Sequence, residues 1–431
     1  MQCVNISCRK RKDAKMLKEM EVLKGNAVVG QSGGPTAAIN ATLSGVIKGA
    51  FKAREKGIID TIYGMRNGIE GLLEERLVNL NERFSDVSEL ETLEATPAAA
   101  LGSCRKKMKS PEADPETYEK LIETFKKYNI RYFFYIGGND SMDTVLKLSQ
   151  YAASHEYDIK VVGVPKTIDN DLMVTDHTPG FGSAAKFVAT TLKEIQRDIS
   201  VYTMKAVTIV EIMGRDAGWL TASAALTKVA GGIAPDLIYL PERAFDLEKF
   251  IADIEKKLED HNALLVAVSE GIRFADGSYV GAGTGGRAVD AFGHVALSGA
   301  GKVLESVVKE RIGCRVRSIE LSLTQRCASH IASGTDINES VMVGRGAVFA
   351  AIDGKTGIMM TIDRKAGDEY YVTIGSENIA NIANEVKRVP LEFINEDGNG
   401  ITDAGVDYLK PLIIGEISIK YENGLPKHVI I

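Results

Sequence analysis

Long hydrophobic runs are missing from this sequence. No window approaches the roughly 18 consecutive apolar residues of a membrane-spanning helix, so no segment is expected to cross a bilayer. Cysteine is sparse and scattered. Cys3, Cys8, Cys104, Cys314 and Cys327 are odd in number, lack metal-ligand spacing, and belong to a 431-residue chain that needs no disulfide staples. A reduced, cytoplasmic protein is the expectation. Positive charge is not in excess either. The 52 Lys and Arg against 58 Asp and Glu leave a net charge of −6, which argues against a nucleic-acid binder held by phosphate contacts. A small anion is still possible, because a local cationic pocket can sit in an acidic protein. No apolar core follows the basic run Arg9-Lys10-Arg11-Lys12, which speaks against a secretory signal; residues 1–24 read as a polar, solvated extension. No Pro- or Ser-rich linker divides the chain.

What is present is the composition of an ordinary globular protein, 45% hydrophobic and 26% charged, long enough for two or three domains. Short apolar runs alternate with amphipathic stretches. Strands are predicted at 27–30, 132–136 (YFFYI), 159–163, 206–212, 237–240 and 264–268; helices at 36–53, 115–127 and 246–258. The strands are continuously apolar rather than alternating, as in parallel sheets covered on both faces. The expected fold class is α/β, with two doubly wound, largely parallel-sheet domains. Without a linker, the chain is expected to cross between them more than once. The glycine-rich stretch 271–301 reads as a surface insertion or loop.

Chemistry concentrates where strands end. Gln31-Ser32-Gly33-Gly34-Pro35-Thr36 leaves the first strand and opens a helix; by itself it suits a tight turn as well as a phosphate cradle. Ile136-Gly137-Gly138-Asn139-Asp140-Ser141 repeats the arrangement, and a helix cap would need only one of its polar residues. Val164-Pro165-Lys166-Thr167-Ile168-Asp169-Asn170-Asp171 then sets a lysine and two acids within a few residues of a strand end. Glu211-Ile212-Met213-Gly214-Arg215 follows a fourth strand and ends on a guanidinium suited to phosphoryl oxygens. Any one of these loops could be structural. Together, at the ends where open α/β sheets place ligands, they point to a shared phosphate site.

These segments, with YGMRNGIEGL, LGSCR, IYLPE, SEG and RVRSIELSLTQR, resemble the phosphofructokinase family in order from Gly30 to about Ala351. Nucleotide-dependent members usually read GGDGS and PGTIDND. Here Asp140 and Lys166 replace glycines, a pair that resembles the pyrophosphate-dependent branch. The resemblance implies transfer of a phosphoryl group from diphosphate to fructose 6-phosphate, with Mg2+ as cofactor. Asp169 would be the proton acceptor, with Lys166, Asp140 and Arg215 beside it as catalytic groups. Gly33, Gly34, Arg105 and Lys166 would hold diphosphate. Thr167, Ile168, Asp169, Met213, Gly214, Arg215, Glu242, Arg317 and Arg326 would hold the sugar phosphate, with Glu270 a candidate substitute contact where the family pattern is not kept. Asn139, Asp140 and Asp171 would share the metal. Residues 25–180 plus about 327–395 would form the diphosphate and Mg2+ domain, and about 181–326 plus the C-terminal segment the sugar-phosphate domain. A homodimer or homotetramer is implied, with no nucleic-acid or membrane partner.

The resemblance also predicts how the donor is chosen. Asp140 puts a carboxylate where a nucleotide's α-phosphate would lie, a repulsion on the order of several kcal/mol in a partly dry site. Lys166 brings an ammonium that diphosphate can use. Two positions depart from the family pattern: Leu323 stands where His or Tyr is usual, and Ala206 where an arginine crosses a subunit boundary. Three rival readings remain: an ATP-dependent enzyme of the same fold, a kinase of the NAD- or lipid-kinase type, and a silent sugar-phosphate-binding subunit. Asp140 and Lys166 speak against the first, PKTIDND and MGR against the second, and the retained Asp169 against the third.

Overall fold

The computed structural model describes residues 22–283, 299–367, 369–382 and 385–431. The predicted extension, but for its last three residues, and much of the glycine-rich stretch lie outside the described residues.

Two sheets organise the chain. The larger contains β1 (Gly25–Gln31), β2 (Ile59–Met65), β3 (Leu77–Asn79), β4 (Ile130–Gly137), β5 (Lys160–Pro165), β10 (Ile358–Arg364) and β11 (Val372–Asn378), in the order β11-β10-β5-β4-β1-β2-β3. Its five inner strands run parallel, and only the edge strands β3 and β11 are antiparallel. The smaller sheet contains β6 (Ala206–Ile212), β7 (Leu237–Tyr239), β8 (Ala263–Ser269) and β9 (Arg315–Glu320), all parallel, in the order β7-β8-β6-β9. The two antiparallel edges escaped the sequence reading because β3 is too short for a periodic signal and β11 is largely half-buried.

Burial explains the continuous apolar runs. Val28 of β1 lies between Tyr63 and Phe133, and every residue of β8 is buried. Helix Pro115–Lys127 starts with proline in its first turn, where no N–H is required, and buries Leu121, Ile122 and Phe125 on one face. Helix Ile39–Glu55 begins three residues later than the pattern suggested, because the turn through Gly33 and Pro35 extends to Ala38. It packs closely on helix Gly334–Ile352. A Cβ at Gly45 would come within 2.2 Å of the Val341 carbonyl oxygen, and one at Gly344 within 2.1 Å of that of Thr42. Only glycine permits that approach of two backbones.

The chain crosses between the cores repeatedly. It leaves the larger sheet after β5, builds the smaller one, and returns for β10 and β11. Val389, Ile394, Val406, Leu409 and Leu412 then pack in the second core, and Val429 returns to the first. Because β1, β4 and β5 run parallel, the loops after them emerge at one end of the larger sheet. Those after β6 and β8 emerge together from the smaller one. Among the described residues no helix is long and apolar enough to cross a membrane.

Candidate active site

The loops from the two sheets meet around a cavity of about 440 Å³. The larger sheet contributes Gly34, Arg105, Asn139, Asp140, Lys166, Thr167, Ile168, Asp169 and Asp171; the second half contributes Met213, Arg215, Glu270 and Arg326.

Lys166 sits at its centre. The side chain is buried and donates to the Gly34 carbonyl oxygen at 2.7 Å, while its backbone N–H reaches Gly137 O at 3.0 Å. Three loops are thereby joined at one residue. Burial pulls the ammonium down to about 8, although Asp169 and Asp171 pull the other way. Asp169 is aimed by a local turn: its N–H donates to Thr167 Oγ1 at 3.1 Å, and that hydroxyl lies 3.3 Å from its carboxylate. Thr167 is held in turn, since its carbonyl accepts from Thr178 Oγ1 at 2.8 Å. Burial raises the Asp169 carboxyl, opposed by Lys166 and Arg215. Burial and the neighbouring Asp169 push Asp171 up to about 7. Two buried carboxyls this close hold on to a proton, as like charges cannot both ionise cheaply.

At the opposite wall, Arg215 has a buried Nε without a protein partner among the described residues. Glu270 accepts from Gly214 N–H at 3.3 Å, and burial pushes its carboxyl up to about 7. A cavity with unspent guanidinium donors and carboxyls held near neutrality suits a ligand that brings both anionic oxygens and hydroxyls. At the far end, Asp140 faces Lys107 at 3.8 Å.

Four residues expected at the site do not line this cavity. The Gly33 N–H donates to Cys104 O at 3.1 Å and its carbonyl accepts from Ser103 Oγ at 2.6 Å, so Gly33 shapes the turn, at φ +78°, instead of offering a donor. Gly214 lies behind the wall, with its carbonyl held by Ser269 Oγ at 2.5 Å. Glu242 turns away: its Oε1 accepts from Gly218 N–H at 2.8 Å and Val389 N–H at 3.0 Å. The acids that reach the cavity from this half are Asp216 and Glu270. Arg317 stands on exposed edge strand β9, beside Asp198 and Tyr202 on another face. Lys107 and Val386 were not anticipated. The lysine cluster after Arg105 was a usable signal for the first; nothing local marks the second.

Among the described residues no group of three or more His, Cys, Asp or Glu could hold an ion unaided. Asn139 donates its amide N–H to Glu385 O at 2.8 Å. Among the carboxylates lining the cavity are the two expected metal-side acids, Asp140 and Asp171, a donor pair that fits a hard cation that keeps its waters and shares the oxygens of a phosphate ligand. Cys104, Cys314 and Cys327 form no disulfide, and none of them lines the cavity.

Fold and cavity together define a two-domain α/β protein built to hold phosphates where its parallel strands end. The chain belongs to the phosphofructokinase family: the Phosphofructokinase family model matches residues 26–350. It is 42% identical over 413 residues to the pyrophosphate–fructose 6-phosphate 1-phosphotransferase of Methylococcus capsulatus, covering 94% of this chain and 95% of the relative. With the enzyme of that name from Halomonas elongata it shares 41% over 404 residues, 93% and 95% of the two chains. The crystal structure of a pyrophosphate-dependent phosphofructokinase from Nitrosospira multiformis superposes with a TM-score of 0.84 at 39% identity, over 94% of this chain and 96% of that one.

Proposed function

We propose that the protein transfers a phosphoryl group from diphosphate to the 1-hydroxyl of fructose 6-phosphate, giving fructose 1,6-bisphosphate and phosphate in a reversible reaction. The observation that carries this reading is the joint placement of Asp140, Lys166 and Asp169 in one cavity. Asp140 repels the α-phosphate of a nucleotide, Lys166 neutralises a compact diphosphate, and Asp169 stands ready for the sugar hydroxyl. The relatives carry names of the same meaning.

In this scheme the sugar's 1-oxygen attacks the terminal phosphorus, its proton passes to Asp169, and the bridging P–O bond breaks with its electrons going to the departing phosphate. General-base help of this kind contributes about 10²–10⁴-fold. The remainder is positioning and charge neutralisation, assigned to Lys166, Arg105 and Arg215. Arg326, Arg215, Met213 and Glu270 take the sugar phosphate. Asp140 and Asp171 would hold Mg2+ together with diphosphate, and the ion would supply charge neutralisation on the transferring group. Arg317, exposed on an edge strand away from its own cavity, is assigned to the site of a second copy in a homodimer or homotetramer. The larger sheet's domain holds diphosphate and metal, and the other holds the sugar phosphate. The packing of Val389 and Ile394 in the second core supports a return crossing before them. The cytoplasm, where such soluble phosphate metabolites meet, is the assigned compartment.

The decisive experiment offers purified protein fructose 6-phosphate and Mg2+ with either diphosphate or ATP. At least a 100-fold preference for diphosphate in kcat/KM is expected. The opposite preference overturns the proposal.

A further inference from the structure

A short segment of the C-terminal region, residues 385–389, passes beside the cavity and bonds to loops from both halves. Glu385 O accepts from Asn139 Nδ2. Val386 lines the cavity wall. The Lys387 N–H donates to Asp171 O at 2.8 Å, and its carbonyl accepts from Trp219 Nε1 at 3.0 Å. Val389 N–H donates to Glu242, which also holds Gly218.

The Lys387 side chain goes further. Its ammonium lies over the Trp219 ring, 5.3 Å from the centroid, and donates to three oxygens: Asn170 Oδ1 at 3.1 Å, Thr175 O at 3.2 Å and Asp176 O at 2.7 Å. All three belong to the loop that follows Asp169. That loop is under backbone strain. Asn170 has φ +54° and Val174 φ +70°, and the second is a β-branched residue in the left-handed region. Such conformations persist only where surrounding contacts impose them. The anchor beneath is itself held on several sides: Asp176 is paired with His177 at 2.8 Å and Arg364 at 3.1 Å, and buried His177 reaches Glu339 at 2.6 Å.

We infer that Lys387 is a positioning residue for the phosphoryl transfer: its backbone N–H and ammonium together clamp the strained loop from behind and so aim Asp169 and Asp171 into the cavity. Lys387 does not line the cavity itself. It acts on the carboxylates through the backbone between residues 170 and 176, and a displacement of about 1 Å at a reacting group can cost on the order of 10²-fold in rate. Arg326, Arg215 and Glu270 stand on other elements, so sugar binding should survive loss of the clamp.

The inference rests on the phosphotransfer proposed above, and its test separates the two. Wild type that does not turn over diphosphate and fructose 6-phosphate sinks that earlier reading. With an active wild type, Lys387→Met is expected to lower kcat by about 10²-fold. The KM for fructose 6-phosphate, and its affinity by calorimetry, should stay within about threefold, a split that general destabilisation does not produce. Should Lys387→Met fail to fold, Lys387→Arg carries the test. It keeps the charge, but a planar guanidinium cannot reproduce the three-point contact, so kcat should fall at least tenfold with sugar affinity retained. Wild-type kcat in the folded variant, or a fall matched by equal loss of sugar affinity, overturns the inference.

Discussion

The Lys166 ammonium lies 2.7 Å from the carbonyl oxygen of Gly34, so the loop after β5 is tied to the turn after β1 by a charged hydrogen bond. A methyl group at Gly33 would stand 3.3 Å from the same nitrogen, which leaves little space in the turn. Lys166→Met removes both the tie and the positive charge facing the donor. A fall of about 10²–10³-fold in kcat/KM for diphosphate is expected, the usual loss for one charge-stabilising donor. Steady-state kinetics with diphosphate varied will check it, and a change confined to fructose 6-phosphate KM would contradict it.

The buried charges set a pH profile. Activity requires the Asp169–Asp171 pair to have released its proton and Lys166 to have kept its own. Asp171 stands near 7 and Lys166 near 8. For the free enzyme, kcat/KM should therefore rise through about 7 and fall above about 8, and Lys166→Met should lose the alkaline limb. Stability follows the opposite sign for this lysine. Its ordinary value is 10.5, so between about 8 and 10.5 the unfolded chain binds more protons than the folded one. Stability contributed by this group then rises with pH across that window.

Asp169→Asn keeps the shape of the turn, since an amide oxygen can still face Thr167, but removes the proton acceptor. Turnover should drop by about 10²–10⁴-fold while calorimetric affinity for fructose 6-phosphate changes less than threefold. Wild-type turnover in this variant would remove Asp169 from its role.

The two glutamates of the second half should separate cleanly. Glu270→Ala takes a carboxyl out of the cavity and is expected to raise KM for fructose 6-phosphate at least tenfold, with the thermal midpoint nearly unchanged. Glu242→Ala strips a partner from the N–H groups of Gly218 and Val389 and should cost about 1–3 kcal/mol of stability. Thermal melts beside sugar-dependent kinetics distinguish the two, and the reverse pattern would return Glu242 to the substrate.

Donor choice should be reversible by substitution. Asp140→Gly with Lys166→Gly removes the repelling carboxylate and opens the space beside it, so ATP-dependent turnover should rise while diphosphate-dependent turnover falls. An ATP rate that stays at background would show that some other wall excludes the nucleotide.

Much of this protein was legible in its sequence because the signals were local. Continuous apolar runs such as YFFYI marked strands buried on both faces, and helix Pro115–Lys127 carried its own start signal and apolar face. The loops bearing Gly34, Asp140 and Asp169 announced themselves by glycine and acid clustering next to those runs. Parallel strands then dictated that such loops share one end of a sheet.

What only the tertiary structure decided is which way side chains turn and which distant segments come to meet them. Glu242 and Glu270 both follow strands of the smaller sheet, yet one carboxylate is spent on backbone N–H groups and the other reaches the cavity. Lys387 lies more than two hundred residues from Asp169, in a stretch with no motif. Its place behind the catalytic loop comes from the chain's return between two cores. Sequence encodes periodicity and turn chemistry within a few residues, whereas contacts of that separation exist only once both cores have packed.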